Sequence, residues 1–255
     1  MKKHSLHTAV LLMVFGLALA LNYLSVTGLI TPYTSKEISD RYQSLLTPAP
    51  LAFSIWSLIY LLLTLILLWW LKTQDVQLLR IQHRLFRPLL GAFVTNMLWI
   101  TLFNNNYLGL SVLVITLYFL FLLWIIREVK DEQNFWLIRV TFGLHAGWLL
   151  VASFMNFAAW FRKLKISYPL SLTTMVLLVL ILVSLLAFWL VFYSHNPSVL
   201  VAVSWGFVMI CKTHAAGTFH DLYPVVEYAA GGLALVLFLS FIILLAWPFF
   251  KKLRA

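Results

Sequence analysis

Charged residues are scarce in this chain. Of its 255 residues only 10% are Asp, Glu, Lys or Arg, whereas 63% are apolar. An average soluble domain has about 25% charged and about 45–50% apolar residues, so this composition excludes a soluble globular fold. The sequence therefore predicts an integral membrane protein whose main partner is the lipid bilayer.

Cysteine and acidic residues are also rare. The single cysteine, Cys211, excludes an internal disulfide. The chain has 8 Asp and Glu residues, and the predicted spans contain no pair of them. A zinc site needs three or four Cys, His or carboxylate ligands, and no such set clusters in the sequence. A phosphate-binding motif is missing too, so we expect no required metal or cofactor and no enzyme activity.

Charges divide the chain into long uncharged stretches. These cover residues 4–35, 42–71, 88–126, 140–161, 166–211 and 228–250. About 20 helical residues cross the hydrocarbon core once, so the stretches of 39 and 46 residues must cross twice. Each has a turn signal near its middle, Asn104-Asn105-Asn106 in one and Ser194-His195-Asn196-Pro197 in the other.

The stretches predict an all-α, polytopic membrane bundle of eight helices. We place the helices at 8–30, 51–71, 88–104, 107–126, 136–160, 169–193, 198–215 and 225–249. The seventh is short and ends near Lys212, so a tilted, re-entrant or interfacial segment is the alternative. The first could be a cleavable signal peptide, but its apolar run continues through Ile30, which favours a spanning helix.

Lys and Arg residues are unevenly distributed between the two sides of this topology. With the N-terminus inside, 12 of the 18 lie on the inner side. The positive-inside rule then places both termini in the cytoplasm, although Arg162, Lys163 and Lys165 lie outside against the trend. We expect a multi-pass protein of the cytoplasmic (inner) membrane. The net charge of +10 fits attraction to anionic lipid headgroups and does not indicate nucleic-acid binding.

Three predicted helices each carry an aromatic stripe, and two of the stripes include polar neighbours. The stripes are Phe53, Trp56 and Tyr60 in the second helix, Asn96, Trp99 and Phe103 in the third, and His145, Trp148, Ala152 and Asn156 in the fifth. An amide without a partner is costly in hydrocarbon, so the stripes indicate buried contacts or a small cavity. An interfacial aromatic belt remains the alternative for Phe53, and a purely structural interhelical hydrogen bond for Asn96.

The spacing of these residues resembles the tryptophan-rich sensory protein family, the bacterial relatives of the mitochondrial translocator protein (TspO/MBR). The residues that carry the resemblance are Pro48, Trp56, Tyr60, Asn96, Trp99, Trp148 and Asn156. It covers residues 1–160, which corresponds to that family's five-helix ligand-binding body, and leaves 161–255 as an appended three-helix module. The chain is more similar to a longer branch in which Thr-Pro-Ala-x-x-x-Phe-Ser-Ile-Trp-x-Leu-Ile-Tyr precedes three further helices.

The resemblance implies a pocket for porphyrins and similar planar amphipathic molecules. The candidate ligand-binding residues are Phe53, Trp56, Tyr60, Asn96, Trp99, His145, Trp148 and Asn156. We expect the aromatic rings to stack on the ligand while Asn96, His145 and Asn156 orient its polar edge. The implied function is non-enzymatic binding, sensing or transport of a tetrapyrrole-like molecule, with a porphyrin or haem-type ligand, and a homodimer is compatible with it.

The chain departs from the family pattern at several positions. Phe53 lies three residues before Trp56, where shorter members have Phe four before. Ala92 replaces a Gln, and Leu144-His145 replaces the usual Pro-Tyr. These changes alter the polar contacts of the implied pocket. The sterol-recognition pattern is also missing, since residues 154–165 contain no Tyr, so sterol transport is not supported.

Other functions are left open by the residues themselves. An intramembrane enzyme acting on a tetrapyrrole or isoprenoid would rely on His145 or Tyr60 for acid–base chemistry. His145 is the only histidine deep within a secure span, so a bis-His haem site cannot be built. A secondary transporter would need a coupling-ion site or inverted repeats, and a scaffold role is a further alternative. A Lys212–Glu227 ion pair could close one mouth of the bundle.

Overall fold

The computed structural model describes residues 2–166, 170–215 and 221–253, with side chains between residues 4 and 246 of these ranges. Regular structure in this part of the chain is entirely helical. The helices are α1 (Lys2–Val26), α2 (Ser35–Arg41), α3 (Ile55–Lys72), α4 (Val76–Asn104), α5 (Leu108–Glu128), α6 (Trp136–Leu164), α7 (Leu172–Ser194), α8 (Ser198–His214) and α9 (Pro224–Leu253). A 3₁₀ turn, Pro50–Ser54, leads directly into α3.

The eight predicted helices correspond to α1 and to α3 through α9. Among the described residues, 7 helices are long and apolar enough to cross a membrane, and α8 is a shorter apolar helix of 17 residues. The predicted class, a polytopic helical membrane bundle, is confirmed. The turn at Asn104-Asn105-Asn106 is also found, since α4 ends at Asn104 and Asn106 adopts a positive φ of 64° before α5 begins.

The predicted start of α4 at residue 88 is wrong, because the helix begins at Val76. Asp75 caps this end, since its Oδ1 accepts hydrogen bonds from the backbone N–H groups of Gln77 (2.8 Å) and Leu78 (2.9 Å). The prediction treated arginines as markers of a helix end. In the structure Arg80 and Arg84 are exposed while Leu78 and Leu85 are buried, so the charges occupy one face of a continuing amphipathic helix.

Helix α2 was not predicted at all. Thr34 caps it, with the Thr34 hydroxyl accepting from the Glu37 backbone N–H at 3.2 Å and a Glu37 carboxylate oxygen accepting from the Thr34 backbone N–H at 2.7 Å. The backbone N–H and the hydroxyl of Thr34 both donate to the Glu37 carboxylate, which favours its ionised form and lowers the pKa of Glu37. The sequence signal was the spacing Thr34-x-x-Glu37, which is a capping box.

Helix α6 lies at the centre of the bundle. Every residue from 141 to 152 is buried, so this helix is enclosed on all sides. It packs against α5 and α8 and also contacts α3 and α7. The remaining helices extend the packing on either side, with α4 between α1 and α5, and α8 between α6 and α9. Helix α6 therefore joins the first part of the chain to the last three helices.

The contact between α6 and α8 requires glycine at position 147. A Cβ atom added at Gly147 would lie 2.4 Å from the carbonyl oxygen of Val199 and 3.1 Å from the Cβ of Ala202. Backbone atoms of a packed helix cannot yield as a flexible side chain can. Small residues let membrane helices approach this closely, which maximises van der Waals contact where no hydrophobic force acts between helices.

We expect Gly147→Ala to lower the free energy of unfolding by about 1–3 kcal/mol, because overpacking a close helix contact forces the backbones apart. Gly232→Ala in α9 is the matched control, since a Cβ there meets no atom within 4 Å. That substitution should be neutral or slightly stabilising, as Ala is a better helix former than Gly. Unfolding midpoints of the two variants in the same detergent check the prediction, and a Gly147→Ala midpoint at or above wild type would contradict it.

Candidate ligand-binding site

Trp56 is the centre of an aromatic cluster that unites the three predicted stripes. Its ring centroid lies 5.5 Å from that of Tyr60 on the same helix, 5.9 Å from Trp99 on α4 and 6.4 Å from Trp148 on α6. His145 lies edge-on to the Trp56 ring at 5.7 Å. These distances are in the range in which aromatic rings attract one another. The stripes of α3, α4 and α6 thus face a common interior.

Asn156 is hydrogen-bonded to Trp99 and not to Trp148, its neighbour in the stripe of α6. Trp99 Nε1 donates to Asn156 Oδ1 at 2.8 Å, and Asn156 Nδ2 donates to the hydroxyl of Ser111 on α5 at 2.9 Å. All three side chains are buried at these atoms. The indole N–H of Trp148 is buried and has no hydrogen-bond partner among the described residues. The Asn156 amide therefore links α4, α5 and α6.

A second set of hydrogen bonds connects α1 to the site, and the α1 residue that makes them is Asn22. Tyr60 donates its hydroxyl hydrogen to Asn22 Oδ1 at 3.1 Å, and Asn22 Nδ2 donates to Asn96 Oδ1 at 2.8 Å. Asn96 Nδ2 in turn lies 3.4 Å from the Tyr60 hydroxyl oxygen, which accepts. The three side chains form a closed ring, so the Asn96 amide is already engaged by protein.

Sequence reasoning did not select Asn22, Ser111 or Tyr118. Asn22 had a detectable signal, since it is the only asparagine within the first predicted span. Ser111 and Tyr118 had none, because hydroxyl groups are common in apolar helices. Tyr118 on α5 lies behind the cluster, with its hydroxyl oxygen 2.6 Å from Nε2 of the fully buried His145.

Two cavities flank the Trp56 ring. The smaller, of about 40 Å³, lies between α3, α4 and α6 and is lined by Trp148, Asn156 and residues of the segment before α3, such as Thr47 and Pro48. The larger, of about 690 Å³, lies between α1, α2, α3 and α4 and opens to the protein surface, where its lining residues Tyr23 and Val26 are exposed. Phe53, Trp56 and Trp99 line both cavities and form the wall between them.

The eight predicted residues therefore hold different positions. Tyr60 lines the larger cavity, and Trp148 and Asn156 line the smaller one. Asn96 and His145 line neither of these two, since Asn96 lies in the polar ring and His145 is packed behind Trp56 against Tyr118. No group of three His, Cys, Asp or Glu side chains that could hold a metal ion occurs in the described part of the chain.

One charged residue lies at the rim of the larger cavity. Lys36 on α2 lines it, together with the hydroxyl-bearing residues Ser35 and Ser57. Lys36 also pairs with Asp40 one turn later, and both side chains are more than half exposed, so this pair contributes little to stability. Helix α2 is held over the bundle by Ser35, whose hydroxyl donates to Asn104 Oδ1 at 2.9 Å. The cavity thus combines an apolar interior with a polar, cationic rim.

The sequence model of the family described as "TSPO-like protein" matches residues 8–243. The chain belongs to this family. The match confirms the resemblance inferred from the tryptophan and asparagine spacing, and it extends across both the predicted five-helix body and the predicted appended module. Searches of curated proteins and of solved structures gave no match to the chain.

The ion pair suggested for this TSPO-like chain at the α8–α9 turn stays a prediction. Lys212 lies in the last turn of α8 and Glu227 in the first turn of α9. His220, which the sequence places in the same turn, lies outside the described residues.

We expect a double-mutant cycle to detect the hydrogen bond between Trp99 and Asn156. Trp99→Phe removes the indole donor and Asn156→Leu removes the acceptor. The change in the free energy of unfolding of the double variant should therefore differ from the sum of the two single changes by about 0.5–2 kcal/mol. Trp148→Phe combined with Asn156→Leu is the matched control, and these two changes should be additive. Coupling of Asn156 to Trp148 and not to Trp99 would contradict the structure.

Proposed function

We propose that this chain is a non-enzymatic, membrane-embedded receptor or carrier for a planar amphipathic molecule of the tetrapyrrole type. The observation that carries the proposal is the wall of Phe53, Trp56 and Trp99, which presents aromatic side chains to a cavity of about 690 Å³. Ligand sites are typically cavities of about 300–1,000 Å³ with mostly apolar walls and a few polar anchors. Family membership supports the same reading.

The ligand occupies the larger cavity in this proposal. The smaller one, at about 40 Å³, has room for a water molecule or two but not for a ring system. In the larger cavity a planar molecule would stack on the Trp56 and Tyr60 rings, and an anionic edge would meet the Lys36 ammonium group at the rim. The amides of Asn96 and Asn156 already have protein partners, so they shape the wall and hold the aromatic side chains in place.

The enzyme alternative gains no support from the geometry. Among the predicted site residues and their neighbours, Tyr118 and His145 form the one buried contact between two groups that could act as acid and base. Neither residue lines either of the two cavities described above. A catalytic acid or base must come within hydrogen-bond reach of the substrate proton.

Quenching of tryptophan fluorescence by protoporphyrin tests the proposed site. We expect Trp56→Leu and Trp99→Leu each to weaken binding by about tenfold, because each removes an aromatic contact worth about 1–2 kcal/mol. Trp148→Leu should change affinity less than threefold, since Trp148 lines only the smaller of the two cavities. Trp189→Leu on α7, where the side chain is exposed, is the control for general quenching.

Unchanged binding in both Trp56→Leu and Trp99→Leu would reject the site. An equal loss in Trp189→Leu would show that the quenching reflects partition into detergent or lipid.

We further propose that the protein resides in the cytoplasmic membrane with both termini inside, as the distribution of Lys and Arg indicates. A fluorescent protein that folds only in the cytoplasm, fused to the C-terminus, should be bright. An active periplasmic reporter at the same position would overturn this orientation.

A further inference from the structure

Helix α8 is hydrogen-bonded to the segment that leads into α3. The backbone N–H of Ala49 donates to the carbonyl oxygen of Met209 at 2.9 Å. The indole N–H of Trp205 donates to the carbonyl oxygen of Ala52 at 3.2 Å, and His214 Nε2 lies 2.9 Å from the carbonyl oxygen of Leu45, which accepts. Three backbone groups within eight residues are therefore bound by one helix that is more than 150 residues away in the sequence.

This segment satisfies its own backbone only in part, through bonds such as those from the Thr47 N–H to the Ser44 carbonyl oxygen (3.0 Å) and from the Ala52 N–H to the Ala49 carbonyl oxygen (2.8 Å). Pro48 and Pro50 have no N–H group, so Ala49 is the only donor in the tripeptide Pro-Ala-Pro. Leu45, Ala49 and Ala52 are buried, and a buried backbone group without a partner is costly. Helix α8 supplies partners for the Ala49 N–H and the Leu45 carbonyl oxygen.

The same segment forms part of both cavities. Thr47 and Pro48 line the smaller cavity, Pro50 lines the larger one, and Phe53 lines both. The segment also continues without a break through the 3₁₀ turn into Trp56 on α3. Any shift of its backbone would move Phe53 and Pro50 at the cavity wall.

Helix α8 also contacts α9, through residues other than those that bond to the segment. The hydroxyl of Ser204, next to Trp205, donates to the carbonyl oxygen of Ala234 at 2.8 Å, and a Cβ added at Gly231 would lie 3.2 Å from the sulfur of Cys211. Two adjacent residues of α8 thus bond to different elements: Trp205 bonds to the cavity segment and Ser204 bonds to α9.

We propose that Trp205 and His214 are positioning residues for the ligand cavity, and that α8 braces the segment at 45–53 and thereby sets how long a ligand stays bound. The ligand part of this inference rests on the proposed function. The brace itself is a property of the protein without ligand, and it can be measured separately.

Hydrogen exchange in the ligand-free protein, reconstituted in lipid nanodiscs, tests the brace. Trp205→Phe removes one donor while it keeps an aromatic ring, so amide exchange in the peptide that contains Ala49 should become about three- to tenfold faster. Ser204→Ala is the matched control, because it removes a hydrogen bond of similar type from the neighbouring residue but directs its effect to α9. In the Ser204→Ala variant, the rate of amide exchange in the peptide that contains Ala49 should stay within about twofold of the wild-type rate.

A second pair of variants distinguishes loss of the hydrogen bond to the segment from general destabilisation of the protein. His214→Gln keeps an N–H donor that can reach the Leu45 carbonyl and should retain slow exchange, whereas His214→Leu should accelerate it. Equal exchange at Ala49 in wild type, Trp205→Phe and His214→Leu would overturn the brace. Equal acceleration in Ser204→Ala would overturn it as well, since it would reveal a global loss of stability.

The dissociation rate of protoporphyrin from the same proteins tests the link to the cavity. Trp205→Phe should release protoporphyrin about three- to tenfold faster than wild type, and Ser204→Ala should not. Faster exchange with an unchanged dissociation rate would overturn the positioning role. If wild-type protein binds no protoporphyrin, the proposed function fails, and the exchange comparison alone then decides whether α8 braces the segment.

Discussion

Polar groups in hydrocarbon are costly unless they find partners within the protein, and this constraint organises the helices around the aromatic cluster. Hydrocarbon offers no hydrogen-bond partner to the amide of Asn156 or the indole N–H of Trp99, and the two bond to each other across α4 and α6. The same requirement closes the ring of Asn22, Tyr60 and Asn96 between α1, α3 and α4. The helices that surround the aromatic cluster are thereby held in register by a few directional bonds.

The constraint also explains how the cavity segment and the last helices depend on each other. A stretch that contains Pro48 and Pro50 cannot form a regular helix with all its groups satisfied, yet it lies among buried residues. Helix α8 supplies the missing partners from outside. The C-terminal part of the chain is therefore joined to the cavity wall by hydrogen bonds as well as by packing against α6.

Local patterns predicted the helices well where one physical signal dominated. Uncharged stretches identified eight apolar helices, of which seven in the described residues are long enough to span, because the thickness of the hydrocarbon core sets a minimum length. The same rule misplaced the start of α4, since it treated Arg87 as a boundary although an amphipathic helix tolerates charges on one face. It also missed α2, which is too short and polar to register as a span and is specified by the Thr34–Glu37 capping box.

The sequence by itself determined the membrane class, the approximate positions of the apolar helices, the aromatic stripes and the family, because these depend on composition and on spacing along one helix. Tertiary structure alone decided that Asn156 bonds to Trp99, that Asn22 belongs to the site, and that the large cavity lies on the α1 side of Trp56. Periodicity shows which residues share a helix face, but it carries no information about which distant helix that face will meet. Contacts such as Ala49 to Met209 are settled only when the helices pack.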